Sequence, residues 1–177
     1  IGMSHTGFQI LYSLFNSYDN VSAERVFLPW EDMIERMESN DIPLYTLETY
    51  TEVKELDMFG ITLQYELMYP NILKTLQMSK IPIHSKDRTE DDPIIMAGGP
   101  CSSNPEPISE FIDIFYIGDA EAVSDEIVSI LSKNISREEK IKEFSNLDGF
   151  YVPSQYKEEK SERNLNIKLY DKQIKAV

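Results

Sequence analysis

The 177 residues carry a formal net charge of −14, with 31 Asp and Glu against 17 Lys and Arg. A surface that acidic repels phosphate backbones, which argues against nucleic-acid binding. A 41% hydrophobic fraction is ordinary for one globular domain, and the single Cys101 excludes an internal disulfide and a cysteine-rich metal site. No apolar run approaches a membrane span and no signal-peptide pattern opens the chain, so a cytoplasmic protein without membrane contact is expected. The opening Ile1-Gly2-Met3 reads as the start of a fragment.

Residues 1–6 read as the exit of a strand whose body is missing, with Ser4, His5 and Thr6 as helix caps. Ile10, Leu11, Leu14 and Phe15 form a helical stripe that predicts a helix over 8–15. A strand is expected over 24–28, stopped by Pro29. The acidic Glu31 and Asp32 suit the first turn of a second helix, with Met33, Ile34 and Met37 facing inward. Residues 44–47 make a short strand candidate, and 49–56 are ambiguous. A buried strand spans 57–63. A long helix should then run from Gln64 to about Ser79, using Leu67, Ile72, Leu73 and Leu76 as its core face. Pro70 must kink that helix or mark its first turn.

Ile94, Ile95 and Met96 show no polar alternation, the pattern of a strand buried on both faces, and they run into Gly98-Gly99-Pro100. A short helix is expected near 108–111, and another buried strand over 113–117 ends at Gly118. A helix follows with Val123, Ile127, Ile130 and Leu131 on its face. Ser136 to Glu139 is a capping box. Residues 149–153 are a last apolar piece, and weak alternation over 165–170 suggests an edge strand or hairpin. Strand and helix alternate about five times, which predicts an α/β, Rossmann-like (flavodoxin-like) fold. Its open, mostly parallel sheet would have helices on both faces and a truncated first strand. Ligands of such sheets bind at the carboxyl ends of the strands. Those ends carry Ser4 and His5, Thr62 and Gln64, Gly98 and Gly99, and Gly118 and Glu121.

Each of these residues has a plain structural reading. His5 and Thr62 suit helix caps, and Glu121 complements a helix N-terminus. Gly98-Gly99 is ordinary turn punctuation. Cys101 has no evident base partner, and no Ser-His-Asp order or phosphate loop appears.

The ordered motifs, however, are more specific than any one of them. Ile1-Gly-Met-Ser-His-Thr-Gly7, Arg25-Val-Phe-Leu-Pro-Trp30, Ile61-Thr-Leu-Gln-Tyr-Glu66, Met96-Ala-Gly-Gly-Pro-Cys101, Asn104-Pro-Glu-Pro107 and Ile117-Gly-Asp-Ala-Glu121 together resemble one family. This is the N-terminal cobalamin (B12)-binding-like domain of B12-binding-domain-containing radical SAM proteins. The resemblance implies a domain over 1–156 that packs on a radical SAM domain of the same polypeptide, with 157–177 as an extension or linker. It implies cobalamin across the strand ends, its tail passing Gly98-Gly99. The iron–sulfur (4Fe-4S) cluster and S-adenosylmethionine would lie in a downstream domain. Met3 replaces the Asp, and Phe8 the Gly, of the Asp-x-His-x-x-Gly pattern used for cobalt ligation, which removes the carboxylate that would orient His5. A degenerate module with a structural or interaction role is therefore the competing expectation.

Overall fold

The computed structural model describes residues 5–160. Ser4 and the edge strand or hairpin expected over 165–170 lie outside them. Helix α1 spans Thr6–Phe15, α2 Glu31–Ser39, and strand β1 Met58–Thr62. Then come α3 (Tyr69–Met78), β2 (Ile94–Gly98), β3 (Ile114–Tyr116), α4 (Ser124–Leu131), α5 (Arg137–Ser145), β4 (Phe150–Tyr151) and α6 (Pro153–Lys160). The strands form one sheet in the order β1-β2-β3-β4. The first two pairings are parallel and β3–β4 is antiparallel. The α/β reading holds, with a mixed, mostly parallel sheet. Among the described strands the order never reverses, so the ligand-binding switch point of doubly wound sheets is not formed by them.

Period-two alternation divides the sheet into two cores. Ile95, Ala97, Phe115 and Tyr151 face a larger core with Met37 of α2 and Ile72 and Leu76 of α3. Ile94, Met96, Ile114, Tyr116 and Phe150 face the other side, against Ile127 and Ile130 of α4 and Phe144 of α5. Each such fully buried side chain contributes about 1.5–3 kcal/mol. β2 and β3 are buried on both faces, whereas β1, with no strand on its outer edge among the described residues, is half-buried.

Three expected elements differ. Residues 24–28 form no strand: Val26 and Leu28 pack on the larger core, and the Leu47 N–H donates to the Arg25 carbonyl. At 44–47 there is only an isolated bridge between Tyr45 and Glu52. The long helix starts at Tyr69 with Pro70 in its first turn, where the missing N–H is harmless, and 66–68 form a separate 3₁₀ turn. That turn breaks the helical phase and leaves Leu67 exposed.

Opposite the strand exits, at the amino ends of β2 and β3, lies a buried ion cluster. The Asp113 carboxylate accepts from the Ile95 N–H at 2.7 Å and the Arg137 guanidinium at 2.5 Å, and Arg88 Nη1 stands 3.0 Å away. The Arg88 side chain is wholly buried, and its other nitrogens donate to the carbonyls of Pro82, Ile83 and Phe111. This cluster pins the loop 82–92 to both central strands.

Candidate functional site

At the carboxyl edge, Thr62 stands beside Gly98 in the β1–β2 register, and Gly60 beside Met96. Met96 and Tyr116 belong to the smaller core, so Gly60, Thr62 and Gly98 share that face. A Cβ built on Gly60 would meet nothing within 4 Å, and one on Gly98 only the Tyr116 carbonyl at 3.8 Å. The upper half of β1–β2 therefore has a bare floor. An exposed glycine in mid-strand leaves main chain open to close approach.

Gly99 is different. Its φ is +102°, and a Cβ would stand 3.0 Å from the Leu63 carbonyl oxygen and 3.2 Å from the Leu63 nitrogen. The Leu63 N–H donates to the Gly98 carbonyl at 2.6 Å, and the Cys101 N–H to the Leu63 carbonyl at 3.0 Å. The chain itself needs this glycine. Buried Ser102, with one proton to give, has its hydroxyl 2.5 Å from the Gly99 carbonyl and 2.9 Å from that of Tyr116. It ties the exit of β2 to the end of β3.

The third exit is built around Tyr116. Cβ atoms on Gly118 or Gly149 would each lie 2.8 Å from that side chain, so the two glycines leave room for the ring. Burial, then Asp119, raises the phenol pKa and keeps it protonated. Glu121 is exposed in the 3₁₀ turn Ala120–Val123, and its carbonyl accepts from the Ser124 hydroxyl.

The polar groups are partly occupied by one another. The Gln64 amide donates to the Thr62 hydroxyl at 2.6 Å. That leaves the Thr62 proton and the Gln64 carbonyl for a ligand. His5 caps α1: its Nδ1 accepts from the Phe8 N–H at 3.2 Å. A neutral imidazole accepting through Nδ1 carries its proton on Nε2, so neither nitrogen presents a free lone pair to a metal while the cap holds. No hydrogen bond or ion pair among the described residues ties His5 to the three exits. Burial and nearby Glu66 push the Cys101 thiol pKa up, away from nucleophilic thiolate.

A family profile described as "Radical SAM proteins, N-terminal" matches residues 7–153. The chain belongs to that family. This radical SAM N-terminal domain is 36% identical over 101 residues to an uncharacterised protein of Methanocaldococcus jannaschii, a match covering 55% of the chain. It spans only 20% of that relative's length. No solved structure matches the domain. No helix among its described residues is long and apolar enough to cross a membrane.

Of the residues singled out in the sequence, the structure of the radical SAM N-terminal domain groups Thr62, Gln64, Gly98 and Gly99 at adjoining exits, with Gly118 past the end of β3. His5 and Glu121 keep to their own helix ends. Gly60, Ser102 and Tyr116 were not singled out. An isolated glycine inside a strand pattern was the available signal for Gly60. Ser102 and Tyr116 depend on contacts between strands, which the linear sequence does not display.

Proposed function

We propose that this chain is the accessory domain of a radical SAM protein and takes a cobalamin over the carboxyl ends of β1 and β2. The supporting observation is the bare floor: a Cβ on Gly60 would meet nothing within 4 Å and one on Gly98 only a backbone carbonyl, which leaves main chain open to a ligand. Tyr65 is exposed, and Phe8 packs with Phe27 at 5.5 Å. In this reading Gly60 and Gly98 provide room, while the Thr62 hydroxyl and the Gln64 carbonyl orient polar groups of the ligand. Gly99 supports the floor by letting Leu63 pack against it. Gly118, Glu121 and His5 would form the outer boundary. When bound, a cobalamin supplies cobalt–carbon chemistry, radical or alkyl-transferring. One cysteine cannot hold an iron–sulfur cluster, so the cluster and S-adenosylmethionine would belong to another domain of the same polypeptide.

A second reading is favoured by a specific observation: the Gln64 amide is already bonded to the Thr62 hydroxyl, and His5 is committed to its cap. Such self-contained polar groups suit a structural module that has lost its ligand. Anaerobic titration of the full-length polypeptide with hydroxocobalamin, read by absorbance and calorimetry, separates the two. Binding of one equivalent supports the first, and no binding at high micromolar cofactor leaves the second.

A further inference from the structure

Thr62 and Gln64 stand two residues apart at the exit of β1, and both are half-buried. The Gln64 side-chain nitrogen donates to the Thr62 hydroxyl at 2.6 Å. Among the described residues, no other group bonds the Thr62 proton or the Gln64 side-chain carbonyl. The Gln64 backbone is steadied separately, its N–H donating to the Met68 sulfur at 3.3 Å. The pair therefore presents one donor, the Thr62 O–H, beside one acceptor, the Gln64 carbonyl. Turning the amide about its last bond exchanges the roles and keeps the sum. The Gln64 carbonyl then takes the Thr62 proton, and a Gln64 N–H and a Thr62 lone pair face outward.

Charge narrows what such a pair can hold. Neither 55–73 nor 89–132, which carry the exits of β1, β2 and β3, contains a Lys, Arg or His. Glu66, Asp119 and Glu121 are exposed there. A carboxylate brought to the pair meets no cation of these segments, and one of its oxygens faces the pair's own acceptor. An ammonium offers donors alone and leaves the pair's donor unmatched. A primary carboxamide carries a donor and an acceptor on neighbouring atoms and bears no charge, so it matches both. The floor sets the shape. Gly60 lies on the same face two residues before Thr62, about 7 Å along the strand, and its main chain is open. That length accommodates one flat ring.

We infer that Thr62 and Gln64 form a carboxamide-reading subsite. It takes a neutral ligand whose primary amide meets the pair while its flat body lies over Gly60, and it discriminates against the matching carboxylic acid. The subsite rests on the strand exits being a ligand site. It does not rest on that ligand being a cobalamin, whose corrin rim carries primary carboxamides of this kind.

Titration of the full-length polypeptide with benzamide and with benzoate tests it, read by the ¹³C methyl resonance of Thr62, which Thr62→Val identifies. About 0.5 M salt screens the general repulsion of benzoate by the acidic surface. Benzamide should move that resonance and bind at least about tenfold more tightly than benzoate. Gln64→Leu keeps the bulk and removes the amide, so the two probes should bind it within about twofold of each other. Equal binding of both probes by the wild type, an unmoved Thr62 resonance, or a preference that survives in Gln64→Leu would overturn the inference. Hydroxocobalamin titrated into the same samples separates the subsite from the cofactor. A benzamide preference in a protein that binds no cobalamin sustains the subsite and removes the cofactor reading. Cobalamin binding without a benzamide preference overturns the subsite and leaves the cofactor reading standing.

Discussion

Gly98 and Gly99 are neighbours with different reasons to be glycine. Gly98 faces open space, whereas Gly99 is held by the Leu63 backbone at φ +102°. Gly99→Ala should lower stability by about 1–3 kcal/mol in urea unfolding, from backbone strain and the 3.0 Å contact together. A Cβ at exposed Gly60 meets nothing within 4 Å, so Gly60→Leu should change stability by no more than about 0.5 kcal/mol. On the cofactor reading it fills the floor and weakens cobalamin binding at least about tenfold, about 1.4 kcal/mol. Calorimetry on the variant checks both halves. The Gly-Gly pair was visible in the sequence as a place where something approaches the backbone. That Leu63 is the thing approaching Gly99 depends on strand register, which the local sequence does not state.

Helices were legible as elements because apolar spacing of 3–4 residues is a local signal: α1, α2 and α4 lie where that spacing puts them, although Ile10 and Met33 of the expected apolar stripes are exposed. The capping box at Ser136 also formed, with the Ser136 side chain taking the Glu139 N–H. Residues 24–28 mark the limit. Their hydrophobicity encodes burial against the larger core, but not a pairing partner. Least legible was the ion cluster, since Arg88, Asp113 and Arg137 are far apart in sequence. Removing one partner of a buried pair costs about 3–5 kcal/mol, so Asp113→Ala should lower the melting temperature by about 10 °C. Calorimetric melting measures it. Asp92 contributes to the acid limb. Burial alone would raise its pKa, but the Thr89 N–H and Lys54 outweigh that and hold it below the ordinary value. A carboxylate with a depressed folded pKa stabilises above the unfolded pKa, and that stability is lost as pH falls through the folded one. Asp92→Asn should therefore flatten the loss of stability below about pH 4, seen as a smaller difference between melting curves at pH 3 and pH 7.

Across the whole molecule, the strand exits and the bare floor occupy one end, and the ion cluster occupies the other. The ion-cluster end is held by buried ion pairs, while the other end leaves the main chain at Gly60 open. The radical SAM assignment was legible because it rests on ordered motifs spread along the chain. Occupancy of the site was not, because it depends on space above Gly60, which only the fold defines. The most direct test is a calorimetric titration of the full-length polypeptide with hydroxocobalamin under anaerobic conditions, repeated on Gly60→Leu. The account predicts one equivalent bound by the wild type and binding at least about tenfold weaker in the variant. No binding by the wild type, or equal binding by both proteins, would contradict it.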